Sequence, residues 1–382
     1  MPALVEFFRE RSRVWAVGGL WAGVLLAAFN VYAAITTYIP QYLVRNDFRL
    51  MYGAALNAWQ HGYGRLYDLA GQKAAVESLS AYWSPYLNPP PLAWLVTPFL
   101  ALPFALATVL WTVLVVAAAV FAWWAAAPGS GFTRLAHLAL FLGLFPTAFG
   151  LLVGQPVALV AAAVAGSWWL AERERPVLAG LVLSLTALKP QLALLVPLCL
   201  LVAGRWRVVG GWWAGSLVIA AVAVLFLGGD GIQRYRDALS MASQWEPTRR
   251  YAIAGPLGLG PQVFLVEVIV VLLAAAAAWR HRKEDVGWLY ATGIVASLLF
   301  TPYVGFQDFA MLVVAGWLVI RAGATQVQVA LMVVGYALLE LALLVLAVPI
   351  LLAEAAFLVA LAWPGPAPQV AGLTRPPRTA RP

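Results

Sequence analysis

Charge is what this sequence has least of. Only 10% of its 382 residues are Asp, Glu, Lys or Arg, against 63% that are hydrophobic. A water-soluble globule of this length could not cover its surface with so few polar groups. Cysteine is nearly absent: Cys199 stands alone inside an apolar run and permits no internal disulfide. The histidines, His61, His137 and His281, are too scattered to make a cluster with metal-ligand spacing. No Walker-type or GxGxxG phosphate loop follows a strand-like run. These absences argue against a soluble enzyme, a disulfide scaffold and a nucleotide-binding α/β domain, and no cofactor or metal is expected.

What is present is apolar and aromatic. Eighteen Trp accompany continuous runs such as "LWTVLVVAAAVFAWWAAA", which read as bilayer-crossing helices of roughly 17 to 25 residues and not as the alternating ten-residue strands of a barrel. The fold class is therefore an all-α polytopic membrane protein. Spans are expected at 14–36, 104–127, 135–153, 156–171, 177–188, 190–204, 208–227, 262–279, 286–301, 309–320, 326–346 and 347–363, about twelve crossings. The first run is too long for a cleaved signal and reads as a retained span. Basic residues gather at alternate span ends, as in "GRWR" and "WRHRK", which places both termini in the cytoplasm. The net charge of +8 is explained by those ends, so no nucleic acid is expected as a partner.

This topology makes residues 1–363 one transmembrane domain, with a Pro-rich basic tail at 364–382 that reads as disordered. Two sizeable segments face outward, 37–103 and 228–261, and chemistry is expected on that side. In the first, "FRLMYGAALNAWQHG" reads as an interfacial helix ending at Gly62, and "AGQKAAVESLSAYW" as a second one running to Pro85. "PPPLAWLVTPFLALP" is too short to cross and reads as re-entrant or interfacial.

The order of "NDFRLMYGAALNAWQHGYGRLYD", "NPPPLAWLVTPFLALPFALATVLW", "VGQPVALVAAAVAG", "AGLVLSLTALKPQLALLVPLCLLVAGRWR" and "FTPYVGFQDFAML" resembles glycosyltransferase family 87, over about residues 14 to 320. Family members are polyprenyl-phosphate-sugar-dependent transferases of the GT-C class and include mycobacterial mannosyltransferases. The resemblance implies a GT-C fold, a polyprenyl-phosphate-linked hexose donor, a lipid or cell-envelope glycan acceptor, and a catalytic aspartate in the first outer loop, matched here by Asp47. A monomer among membrane lipids is expected.

Read residue by residue, each candidate has a plainer alternative. Asp47 is also a fitting N-cap for the helix that starts at Phe48. Arg45 and Arg49 either anchor at headgroups, or keep Asp47 ionised or hold a phosphate. Lys189, in "LKPQ" between apolar runs, is costly without an anion or a wet cavity; it either snorkels at a hairpin tip or contacts the donor phosphate, the role the resemblance favours. Arg249, in the second outer segment, either belongs to a solvated loop or meets anionic headgroups or the donor phosphate. Gln155 in "VGQPV" is either a turn residue or a hydrogen-bonding partner for sugar. Gln191, Gln307, Asp308 and Trp83 complete the sugar or acceptor candidates. A rival from another class, a transporter or lipid flippase, would use the intramembrane carboxylates Glu267, Glu340 and Glu354.

Overall fold

A computed structural model describes residues 12–33, 36, 46–79, 83–244, 249–341 and 347–363, which are helical without strands. The α-helices are α1 (Ser12–Ala33), α2 (Phe48–His61), α3 (Leu69–Glu77), α4 (Pro90–Val96), α5 (Phe104–Ala126), α6 (Gly131–Gly143), α7 (Phe145–Leu152), α8 (Val157–Ala171) and α9 (Pro176–Leu183). They continue as α10 (Val196–Val202), α11 (Trp206–Gln244), α12 (Pro261–Arg280), α13 (Gly287–Phe300), α14 (Ala310–Ala322), α15 (Gln326–Glu340) and α16 (Ala347–Ala362). Among the described residues, four helices are long and apolar enough to cross a bilayer: α1, α5, α11 and α12. The pair α6 and α7, bent by 60° at Leu144, makes a fifth if taken as one span.

Each expected span contains a helix, but the helices of crossing length are far fewer than the twelve crossings expected. The segment 190–204 holds only a 3-10 turn and the seven-residue α10, about 10 Å of α-helix against a hydrocarbon core of about 30 Å. The expected crossing 135–153 is the bent pair. In the second outer segment, α11 continues helically to Gln244 after a break at Gly228, whose φ of +61° suits a residue without Cβ. In the first, α2 ends at Gly62 as expected, while α3 stops at Glu77 and residues 83–89 are non-helical, so no helix runs to Pro85. The expected disorder of 364–382 falls outside the described residues.

Close packing relies on glycine, because without a hydrophobic drive between helices it is near approach of backbones that holds them together. A Cβ added to Gly180 of α9 would meet the Val208 carbonyl oxygen at 2.0 Å, and one on Gly211 of α11 the Val177 oxygen at 2.3 Å. Similarly, Gly23 of α1 lies against the backbone of Ala139 in α6. At the centre is α13, buried from Gly287 to Leu299, as expected of a helix apolar on every side. Its Gly293 lets Val196 approach, and its Ser297 hydroxyl accepts the Leu195 N–H at 2.8 Å. The broken stretch before α10 is thereby satisfied from a neighbouring helix.

The bundle has two chemically different ends. Just beyond the ends of α8 and α12, and in the last turn of α14, Arg173, Arg282 and Arg321 lie over Trp169, Trp279 and Trp168, with ring distances of 3.7, 4.0 and 5.1 Å. The opposite ends of α8 and α14 begin just after Gln155 and Asp308.

The glycine contacts predict a contrast between two neighbouring positions. Gly180→Ala should cost about 1–3 kcal/mol through overpacking against backbone. Gly210→Ala, where nothing lies within 4 Å, should be neutral or slightly stabilising. Thermal unfolding of the purified variants in detergent, followed by tryptophan fluorescence, measures both.

Candidate functional site

The site starts at the entry to α2. Asp47 occupies the position before the helix, but its side chain makes no capping bond. Asn46 caps instead, its Oδ1 accepting the Phe48 N–H at 2.8 Å. The expected capping role of Asp47 is thus taken by its neighbour, which leaves the Asp47 carboxylate free for other partners. Phe48 fixes the helix start by packing on Trp111, with ring centroids 5.1 Å apart, and on Phe99 and Phe104.

Trp111 also donates its indole N–H to the Gly154 carbonyl at 2.7 Å. One side chain therefore joins the Asp47 segment to the turn that follows α7. That turn needs glycine: Gly154 has φ +70°, and an added Cβ would meet Asn46 Oδ1 at 2.5 Å. The Asp47 N–H donates to the Val153 carbonyl at 2.8 Å. The turn presents Gln155, whose Nε2 donates to Asp47 Oδ2 at 2.5 Å.

From further along the chain come a cation and a second carboxylate. Lys189 sits between the 3-10 turns Ser184–Leu188 and Pro190–Leu192, in non-helical backbone. It is only 5% exposed, so it does not snorkel, and its Nζ lies 2.5 Å from Asp308 Oδ1 and 3.3 Å from Gln155 Oε1. Asp308 is 1% exposed, and its Oδ2 accepts the Gly305 N–H at 3.0 Å. The lysine that looks isolated in the sequence is in fact paired with a carboxylate 119 residues away.

Four distant positions thus form one hydrogen-bonded series: Asp47, Gln155, Lys189, Asp308. Burial pushes the Asp47 carboxyl above its ordinary range, while the Gln155 hydrogen bond and the charges of Arg49 and Lys189 oppose this in part. Among the described residues, Asp47 Oδ1 carries no hydrogen bond. A carboxylate with one free oxygen and a raised proton affinity is suited to general-base work.

The remaining candidates divide. Arg49 is fully buried and donates to the Asn46 carbonyl at 2.7 Å, so it is no headgroup anchor, and its charge bears on Asp47. Arg45 lies outside the described residues. Arg249 belongs to the segment whose Tyr251 packs on Phe306 and Phe309, either side of Asp308, and its Nε is buried without a hydrogen-bond partner. Gln191, two residues after Lys189, is buried with Oε1 unpartnered. Gln307 lies against Gly150 of α7. Trp83 is half-buried, with its indole N–H unpartnered and no described contact to the cluster.

Two open grooves flank the outer segments. One of about 390 Å³ is lined by Gly64, Arg65, Leu227 to Asp230 and Arg234, and one of about 590 Å³ by Pro85, Asp237, Ser240, Met241 and Gln244. Neither is lined by the cluster itself. Among the described residues, no group of three or more His, Cys, Asp or Glu is placed to hold a metal ion. Glu267, Glu340 and Glu354 do not come together through any described hydrogen bond. Glu340 accepts the Phe145 N–H at 2.5 Å, capping α7, and Glu354 is buried with both oxygens unpartnered.

The buried pair yields a stability prediction. Lys189→Met should cost about 3–5 kcal/mol by leaving Asp308 uncompensated. Adding Asp308→Leu to that variant should recover most of the loss. Thermal unfolding of the single and double variants measures the difference.

Comparison with known proteins identifies the family. Residues 86–302 match the model of Glycosyltransferase family 87, a stretch that contains Gln155 and Lys189. No curated protein and no solved structure matches significantly. Since the match covers more than half of the chain, this apolar helical protein belongs to glycosyltransferase family 87 and is a glycosyltransferase.

Proposed function

We propose that the protein transfers a hexose from a polyprenyl-phosphate carrier to a lipid or cell-envelope glycan acceptor, with inversion at the anomeric carbon. By the resemblance to mycobacterial mannosyltransferases, the hexose is mannose. The observation that carries this reading is the convergence of Asp47, Gln155, Lys189 and Asp308 from four distant segments of a family member.

In this reaction the acceptor hydroxyl gives its proton to Asp47 as its oxygen attacks the anomeric carbon from the face opposite the phosphate. The bond between that carbon and the phosphate oxygen breaks, and the carrier phosphate leaves with the electron pair. A phosphate leaving group needs charge stabilisation more than protonation, so one base suffices. The charge of Lys189 bears on Asp47 from outside its own segment, and Arg249 adds a second cation from the loop packed on Phe306 and Phe309. To neutralise the phosphate, Lys189 must share its donors between Asp308 and the ligand, which an ammonium with three N–H groups can do.

Depth supports a lipid-borne donor. α8 and α14, of 15 and 13 residues, separate the cluster from the arginine end by only about 20 Å, within the roughly 30 Å of a bilayer core. We place the cluster toward the periplasmic side of the inner membrane, with both termini cytoplasmic, because the arginine-bearing helix ends then face inward.

Asp47→Asn should lower transfer from a labelled polyprenyl-phosphate hexose at least about 100-fold while leaving the unfolding temperature unchanged. Because the base must be deprotonated, the wild-type rate should rise with pH through a midpoint above the ordinary carboxylate value of about 3.9 and then level off. Undiminished turnover by Asp47→Asn would remove Asp47 from the reaction.

A further inference from the structure

We propose that Gln155 is a positioning residue, whose amide couples the Asp47 carboxylate to the buried Lys189–Asp308 pair and leaves a single Asp47 oxygen for the acceptor hydroxyl. The inference rests on the transfer reaction described above and assigns Gln155 a task other than sugar binding.

The direction of the coupling is fixed by chemistry. An ammonium group only donates, so the Gln155 oxygen must face Lys189. The amide nitrogen is then turned toward Asp47, where Nε2 meets Oδ2 at 2.5 Å. Lys189 is itself held by Asp308, and Asp308 by the Gly305 N–H. The donors run one way, from Lys189 through Gln155 to Asp47. Turning the amide over would set its NH₂ against the ammonium and its oxygen against the carboxylate.

The backbone of Gln155 is held as firmly as its side chain. Its N–H donates to the Gly150 carbonyl at 2.9 Å, the preceding carbonyl is taken by Trp111, and Pro156 follows. With both polar ends of the amide engaged, its second N–H and the oxygen's second lone pair are what is left for another ligand. Replacing either existing bond with one to sugar would break the series that orients the base.

The charged groups facing Asp47 are Arg49 on its own helix and Lys189 across the turn, with Asp308 behind Lys189 and the Tyr303 hydroxyl near Asp308. Gln155 is the neutral link among them. A hydrogen bond donated to a carboxylate favours its ionised form, so removing the link makes the Asp47 proton harder to lose.

The test reads Asp47 directly, by infrared difference titration of protein reconstituted in liposomes, with Asp47→Asn as the subtraction that isolates its carboxyl band. In Gln155→Leu the midpoint should rise by about one pH unit, in line with the strength of hydrogen bonds to charged groups. The acid limb of kcat/KM should rise by the same amount, with activity recovering at alkaline pH. Gln155→Glu, which keeps the side chain's size and its bond to Lys189, should shift both in the same direction, and it serves if the leucine variant does not fold. An unmoved midpoint together with a raised KM for the donor would overturn the proposal in favour of a sugar contact. A midpoint that moves while the acid limb stays still would uphold the coupling and remove Asp47 as the base.

Discussion

The structure turns on one ion pair in an apolar surround. An ammonium inside a helical bundle is tolerated only if a counter-charge and further hydrogen bonds meet it there. Lys189 finds both in Asp308 and Gln155. The helices near the pair are broken accordingly. The chain leaves α-helix from Ser184 to Leu195 to bring Lys189 to its place, and turns through Phe306–Phe309 to bring Asp308 to its own. Irregular backbone at this depth is stable only when its freed groups are satisfied internally. The Gly305 N–H, bound by Asp308, and the Leu195 N–H, bound by Ser297, meet that requirement.

Much of this was legible in the sequence. Apolar runs and the placement of arginines gave the helical class and the positions of most helices, because the cost of polar groups in lipid acts on each segment separately. Asp47, Gln155, Lys189 and Asp308 could each be singled out, since a polar residue at an apolar run's end is conspicuous. Their mutual pairing could not be read, because pairing depends on how four segments more than thirty residues apart pack together. Asn46 illustrates the finer limit: either it or Asp47 satisfies capping chemistry, and the cap falls to Asn46 while the Asp47 carboxylate takes Gln155. Trp111 itself gave no signal among eighteen tryptophans. Arg49 was ambiguous between lipid and carboxylate for a similar reason, as burial is a tertiary property.

The intramembrane carboxylates illustrate how a suggestive pattern separates into unrelated tasks. Glu340 serves the 60° bend between α6 and α7, where it supplies the acceptor that the first free N–H of α7 needs. Glu267 is partly exposed on α12, and Glu354 is enclosed on α16. A proton path would need these groups linked, whereas the described hydrogen bonds join none of them. The family match and the Asp47 cluster favour group transfer by comparison.

The Glu340 cap also has a consequence for how the molecule matures. α7 leads directly into the turn that carries Gln155, yet its first N–H is satisfied by a residue almost two hundred positions later. Asp308 too belongs to the last quarter of the chain. During synthesis the early segments are therefore made while Lys189 lacks its counter-charge and the first N–H of α7 lacks its acceptor. The hydrogen-bonded series is thus completed only once Asp308 has followed α13, and the bend is capped later still, when α15 seats beside it.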